Sequence, residues 1–276
     1  MIGPSLSLLY PIHDRAHLFR PTLTVFRDQL RAVSDRRHFL ELVVVDDRSS
    51  DGLDTLCREF GDELPIRYLR ADARLVRDDV CLVGEHINPS YVQNVGLKAA
   101  AGDRVVLSSP EIFHTSPRSL EVMATTPMTE TECLVGDAWD ESMATFICGG
   151  PNEGRLAFLS VFPRQGLLAS GGVEEDFLTG IGYDDNDLEW RWLARQGTFT
   201  FLHDRLTGYH QSHERIEMKR DQYTRVAYER SKRLWFGELY PAIQKGMRIS
   251  ANVGREWGSG VGVLDEWTSS AWHPRL

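Results

Sequence analysis

Glu41 to Gly52 reads E-L-V-V-V-D-D-R-S-S-D-G, an apolar run that stops abruptly in two carboxylates and a polar turn. Leu42 to Val45 show no alternation of apolar and polar residues, which is the pattern of a parallel strand covered on both faces. In such sheets ligands gather beyond the carboxyl ends of the strands, and Asp46 and Asp47 fall there. Acids at the tip of a buried strand mark a candidate site.

Three further apolar segments flank this one: Ser5 to Tyr10, Ile66 to Leu69 and Val105 to Leu107. The stretches between them, about Arg15 to Val33, Leu53 to Phe60 and Tyr91 to Ala101, are long enough for crossover helices, so the rhythm predicts a mostly parallel α/β sheet. Asn88-Pro89-Ser90 offers the third helix a turn and a Ser N-cap, and Gly102 offers it a stop. Beyond Pro110 the pattern loosens. Strands are expected at Cys133 to Val135 and Thr198 to Leu202, a short helix over Asp184 to Gln196 and a longer one from about Arg215 to Leu239. Trp257, Trp267 and Trp272 lie in a tail that reads as a strap over the body or as an aromatic flap.

With 276 residues and 42% hydrophobic content, the chain can bury a sizeable core in one large or two modest domains. No apolar run has the length of a membrane span and S-L-S-L-L-Y lacks a basic leader, so a cytoplasmic protein is expected. Cys57, Cys81, Cys133 and Cys148 are widely spaced with no C-x-x-C pair, which argues against a disulfide framework or zinc knuckle. The formal charge of -9 argues against broad binding to polyphosphate backbones. Arg215, Lys219, Arg220, Arg225, Arg230, Lys232 and Arg233, interleaved with acids, read as a solvated, salt-bridged helix face.

Four pieces fall in order: Pro11 after the first strand, V-V-V-D-D-R-S-S-D-G, N-P-S-Y-V-Q-N-V-G-L-K-A-A-A-G-D, and G-I-G-Y-D-D-N-D-L-E-W-R. Over roughly Ser5 to Glu214 they resemble the GT-A fold glycosyltransferases of the family-2 type, and are similar to chondroitin polymerase and galactosyltransferase catalytic domains. The resemblance implies a Rossmann-like, mixed but mostly parallel sheet flanked by helices. Residues 1–214 would form the GT-A domain, with 1–110 as nucleotide-binding half and 111–214 as acceptor half, and 215–276 a C-terminal helix and aromatic tail. The implied activity is transfer of a sugar from a nucleotide-diphosphate donor, UDP-linked, to a hydroxyl acceptor with inversion. The acceptor stays open among glycan, lipid-linked glycan, protein and modified nucleic-acid base.

The same resemblance assigns residues. Pro11, Asp46, Asp47 and Asn94 match positions on the donor side, an acid among them receiving the uracil imide. Arg48 stands where the family carries Gly, so the geometry of that turn is in question. The family's Asp-x-Asp is missing, Ser108 and Pro110 occupying its places, which leaves Glu111 as the hard oxygen ligand for Mn²⁺ or Mg²⁺. His210 matches the late His that completes the metal shell, with His213 as runner-up. In G-Y-D-D-N-D-L-E, Asp185 maps onto the base that deprotonates the acceptor, Asp184 onto its hydrogen-bonding neighbour and Asp187 onto a positioning role. Capping of a helix start explains the same three acids without catalysis. Mutual repulsion raises their pKa values while the helix terminus lowers them. Gly171, Gly172 and Phe177 fit a tight turn, and Trp139 with Asp140 could grip a sugar.

Two other functions fit less well. A sugar nucleotidyltransferase would need a Gly-rich loop after the first strand, and Tyr10 to Arg15 holds no Gly. A degenerate domain that binds nucleotide sugar or glycan without catalysis would account for the lost Asp-x-Asp.

Overall fold

The computed structural model describes residues 4–32, 38–72, 89–149, 159–177, 182–213, 222–259 and 263–272. Arg215, Lys219 and Arg220 of the basic helix, Cys81 and Asn88 lie outside them.

Strands β1 (Leu6–Ile12), β2 (Phe39–Asp47), β3 (Ile66–Ala71) and β4 (Arg104–Ser108) run parallel in spatial order β3-β2-β1-β4. They are linked through helices α1 (Ala16–Ala32), α2 (Leu53–Phe60) and α3 (Pro89–Ala99). The order reverses between β1 and β4, and a crevice forms at such a switch point. Pro11 pairs only toward β2, opposite Val45, because the β1–β4 ladder stops at Leu9–Leu107; its missing N–H therefore costs the sheet nothing on that side. Four more strands complete an eight-stranded sheet in the order β10-β6-β9-β4-β1-β2-β3-β12: β6 (Glu132–Val135), β9 (Leu159–Pro163), β10 (Thr198–Phe201) and β12 (Val263–Thr268). A second sheet, β5-β11-β7-β8, is built from β5 (Ile112–His114), β7 (Asp137–Asp140), β8 (Phe146–Cys148) and β11 (Thr207–His210). The remaining helices are α4 (Ser119–Thr125), α5 (Arg164–Ala169), α6 (Asp184–Ala194), α7 (Gln222–Leu234) and α8 (Tyr240–Gln244), a π-helical stretch Trp235–Leu239 joining the last two.

The absence of alternation in β2 has its cause in two cores. Leu42 and Val44 pack with Phe19, Phe26 and Leu56 on one face, and Val43 and Val45 with Tyr91, Val92 and Val95 on the other. Each fully buried Val or Leu contributes about 1.5–3 kcal/mol. Helix α3 lies so close to the sheet that a Cβ on Gly96 would stand 2.0 Å from Leu9 Cδ1 and 2.9 Å from Val45 Cγ2.

Two of the expected punctuation marks act differently. Ser90 lies inside α3, buried with its hydroxyl unpartnered, instead of capping it. Gly102 is not left-handed. A Cβ there would meet the Ser7 backbone N at 2.7 Å, so glycine serves a close approach to β1.

The tail is a strap. β12 pairs antiparallel with β3, covering what would otherwise be an open edge. The Trp267 ring stacks 5.2 Å from Tyr68, with the Arg58 guanidinium 4.4 Å over it, and its Nε1 donates to Asp54 at 2.8 Å. Trp272 Nε1 donates to the buried Glu41 at 3.0 Å, whose other oxygen accepts from Ser7 and Ala101.

His114 on β5 is buried against Phe26, with Nε2 3.4 Å from the Tyr10 hydroxyl and Nδ1 unpartnered. Burial pushes its pKa from 6.5 down to about 3. Above pH 6.5 the ring is neutral folded or unfolded and contributes no pH dependence. Below it the unfolded chain takes up a proton that the folded chain refuses, so stability falls as pH drops from 6.5 toward 3. At about 1.4 kcal/mol per unit, moving from pH 7.5 to 5 should cost wild type about 2 kcal/mol more than His114→Phe. Urea unfolding of both proteins at the two pH values checks this.

No described helix is long and apolar enough to cross a membrane. Cys57, Cys133 and Cys148 are free and buried.

Candidate active site

The loops that leave β1 and β2 are tied reciprocally. Asp14 N donates to Ser49 Oγ at 3.0 Å, Ser50 N to Asp14 Oδ1 at 2.7 Å, and Ala16 N to Asp51 Oδ2 at 2.7 Å, so Asp51 caps α1 across the crevice. His13 Nδ1 donates to the Asp47 carbonyl at 2.6 Å.

Within that frame the two aspartates part company. Asp46 is spent: Oδ1 accepts from Ser49 N at 2.6 Å and Oδ2 from the Tyr68 hydroxyl. Its carboxylate shapes the turn, each oxygen already holding one donor. Asp47, one residue on and so on the opposite face of β2, holds Arg48 Nε at 3.0 Å, which also lies 3.3 Å from Asp72 Oδ1. Arg48 adopts φ 60°, the left-handed region a Gly would fill. The family's turn survives the substitution, and a cation is added between two acids.

Across the switch point, Ser109 Oγ donates to Glu111 Oε2, and the Ile112 N to Ser109 O bond of 3.1 Å closes the turn. Glu111 Oε1 faces Arg15 Nε at 3.5 Å and His213 Nε2 at 4.0 Å. The chain His13-Asp14-Arg15 thus joins the Asp47 tip to Glu111. His210 sits on β11 between Ile112 and Asp140, its ring centroid 5.1 Å from that of His213. Among the described residues no three His, Cys, Asp or Glu gather into a protein-only metal cage. Hard cations in nucleotide sites are commonly held by one or two carboxylates with substrate phosphates completing the shell. A carboxylate with nearby imidazoles fits that pattern, and His213, the runner-up, lies 4.0 Å from Glu111.

On the acceptor side the chain enters α6 through two left-handed residues, Gly182 (φ 80°) and Tyr183 (φ 73°). Burial, aided by the Asp187 charge, raises the Asp184 carboxyl above its usual range despite the amides at its own helix start. Half-buried Asp185 lies near β8: its charge, after burial, helps push the Cys148 thiol up to about 12. Asp187 faces inward, wholly buried, and accepts from Arg191 Nε at 2.6 Å.

Asn94 is taken up by the protein's own backbone and side chains. Fully buried, it donates through Nδ2 to Val173 O and Glu175 Oε1, both at 2.8 Å, and accepts from Val173 N at 2.9 Å. It pins the Gly171-Gly172 turn (φ 79° and 68°) to α3. Asp140 closes its own turn, accepting from Ser142 Oγ at 2.8 Å and Ala144 N at 3.0 Å, while Trp139 packs on Phe146. Periodicity gave no sign of the residues that hold the Gly171-Gly172 turn from behind. Arg248 and Arg255 pair with buried Glu174, and Asn252 donates to Gly171 O and Val173 O at 2.8 Å. The adjacent buried acids of G-G-V-E-E were the one available signal, since buried carboxylates require cations from somewhere.

This architecture is that of the GT-A glycosyltransferases, and solved members share it. The mannosyltransferase PcManGT of Pyrobaculum calidifontis, in complex with GDP-Man and Mn²⁺, superposes with TM-score 0.55 at 17% identity over 89% of this chain and 72% of that one. S. aureus TarS 1–349 with UDP-GlcNAc gives 0.64 at 15% over 83% and 65%, and GalNAc-T7 with UDP, GalNAc and Mn²⁺ gives 0.56 at 15% over 88% and 51%. Among curated proteins, validoxylamine A glucosyltransferase of Streptomyces hygroscopicus subsp. jinggangensis (strain 5008) is 30% identical over 226 residues, 69% of this chain. The chain spans 52% of that relative's length. No family model matches.

Proposed function

We propose that the chain is a glycosyltransferase that moves a sugar from a nucleotide-diphosphate donor to a hydroxyl acceptor, with inversion. The observation that carries this reading is the junction at the β1/β4 switch point, where His13 and Arg15 connect Asp47 to Glu111. The bound nucleotide sugars of the structural neighbours support it, and UDP is the donor nucleotide we favour.

The nucleotide lies over the tips of β1 and β2, against Pro11 and Asp47, with Asp46 and Asn94 shaping the walls. Asp47 accepts the imide hydrogen of the base. Glu111, with His213 and His210, would hold Mn²⁺ or Mg²⁺, and when bound the cation neutralises the departing diphosphate. Asp185 takes the acceptor hydroxyl proton as the acceptor oxygen bonds to the anomeric carbon. The bond from that carbon to the diphosphate breaks, its electron pair leaving with the diphosphate. Asp184, its carboxyl raised by burial, hydrogen-bonds the acceptor, and Asp187 orients the helix. Residues 1–110 serve the donor, 111–214 the acceptor, and 215–276 brace both. The free, buried thiols are in keeping with a cytoplasmic setting.

A panel of UDP- and GDP-sugars, in EDTA and in Mn²⁺, tests the reading; glucosyl donors come first because of the relative's name. One nucleotide series should raise the melting temperature, by the equivalent of about 2.7 kcal/mol at a hundredfold excess over Kd. Turnover should release nucleoside diphosphate and no pyrophosphate. Absence of stabilisation by every donor sinks the proposal. Stabilisation with no hydrolysis or transfer would favour the non-catalytic module.

A further inference from the structure

The crevice at the switch point holds two guanidinium groups whose hydrogen-bonding capacity the fold leaves unfilled. Arg15 stands one residue before α1. Its Nη1 donates to the Asp14 carbonyl at 3.1 Å, but Nε is buried and makes no hydrogen bond. The ion-pair distance to Glu111 Oε1, 3.5 Å, is too long for one. Arg48, on the next loop, also leaves a buried Nη2 unpartnered. Arg48, though, is already held over two carboxylates, at 3.0 and 3.3 Å. Among the described residues Arg15 pairs with one acid, Glu111, and it shares that acid with Ser109 and His213. A buried N–H without an acceptor is costly, and it is tolerated where another group supplies the acceptor.

Position and charge say which acceptor fits. Arg15 leaves β1 and Glu111 follows β4, so the pair spans the mouth where such sheets receive ligands. The loop after β4 presents one acid, Glu111, where two aspartates would gather more positive charge. A permanent cation beside it offsets that deficit for an anionic ligand, and a guanidinium fork matches a diphosphate in both charge and shape.

Resting on the nucleotide-sugar reading above, we propose that Arg15 is the counter-cation of the donor's diphosphate: it lies on Glu111 while the crevice is free of nucleotide and turns its fork to the phosphates when the donor enters.

Titration calorimetry on the full chain tests this, comparing uridine with UDP and guanosine with GDP, in EDTA and in Mn²⁺, for wild type, Arg15→Lys and Arg15→Met. Wild type should bind the diphosphate more tightly than the nucleoside. Arg15→Met should lose diphosphate affinity by on the order of tenfold or more and keep nucleoside affinity, while Arg15→Lys, which keeps the charge and loses the fork, should fall between. Undiminished diphosphate binding by Arg15→Met overturns the proposal. Equal loss of nucleoside and diphosphate also overturns it, since that marks a residue that only supports the loop. If Arg15→Met fails to show a cooperative melt, the Arg15→Lys comparison decides: a loss confined to the diphosphate supports the clamp, and no loss or an equal loss rejects it. Wild type that binds no nucleotide overturns the function and the clamp together, whereas nucleotide-binding wild type with an unaffected variant overturns the clamp alone.

Discussion

Asp185→Asn is expected to lower kcat by about 10²–10⁴-fold and to leave nucleotide binding and the melting temperature near those of wild type. Asn fills the same volume and can still cap the start of α6, so a role confined to capping predicts almost no change. A base predicts a collapse of turnover, because the amide cannot take the acceptor proton. Asp184 is the internal comparison. Burial and the charge of Asp187 favour its protonated form, and Asn at that position keeps both a donor and an acceptor, so Asp184→Asn should raise KM more than it lowers kcat. Steady-state kinetics on the two variants, with nucleoside diphosphate release as readout, separates the cases. Full turnover by Asp185→Asn would end its assignment as base, and a collapse seen only in Asp184→Asn would transfer the role to its neighbour.

Much of the donor half was legible because its signals are local. A strand buried on both faces must be apolar throughout, and a tip acid ends it visibly, so β2 and its neighbours follow from residue order alone. What those tip acids do was not legible. Asp46 and Asp47 are adjacent in sequence but project to opposite faces of β2, and one is consumed by Ser49 and Tyr68. The partners of Asn94 were not legible either, since its amide meets Val173 and Glu175, 79 and 81 residues away. Long-range pairing of this kind leaves no periodicity to read. Arg48 gave the opposite result: the left-handed backbone was retained although the expected glycine was not. The tail could be read as strap or flap because Trp alone does not specify a partner. Tyr68, Asp54 and Glu41 decide it by taking up the rings and the indole N–H groups.

Arg191→Met is expected to destabilise the protein by about 3–5 kcal/mol, the usual cost of removing one member of a buried ion pair. Both partners are fully enclosed. Arg191 Nε donates to Asp187 at 2.6 Å, Nη1 to Ser170 O at 3.0 Å and Nη2 to Gly172 O at 2.9 Å, so one side chain ties the third turn of α6 to the turn beneath it. Its loss takes the donor from Gly172 O, leaves Ser170 O with Ala251 N at 2.8 Å, and leaves Asp187 with Arg248 at 3.6 Å as its remaining ion-pair partner. The charge left behind, more than the contact removed, sets the penalty. Arg191→Met with Asp187→Leu should therefore recover a large part of the stability, because a well-packed apolar pair can replace a buried ionic one at little cost. It should not recover turnover, since Asp187 is two residues from Asp185 and the restored packing no longer fixes where α6 begins. Urea unfolding with kinetics on the single and double variants reads both quantities. A loss under about 1 kcal/mol for Arg191→Met would show the pair to be dispensable, and full activity in the double variant would detach it from the placement of the base.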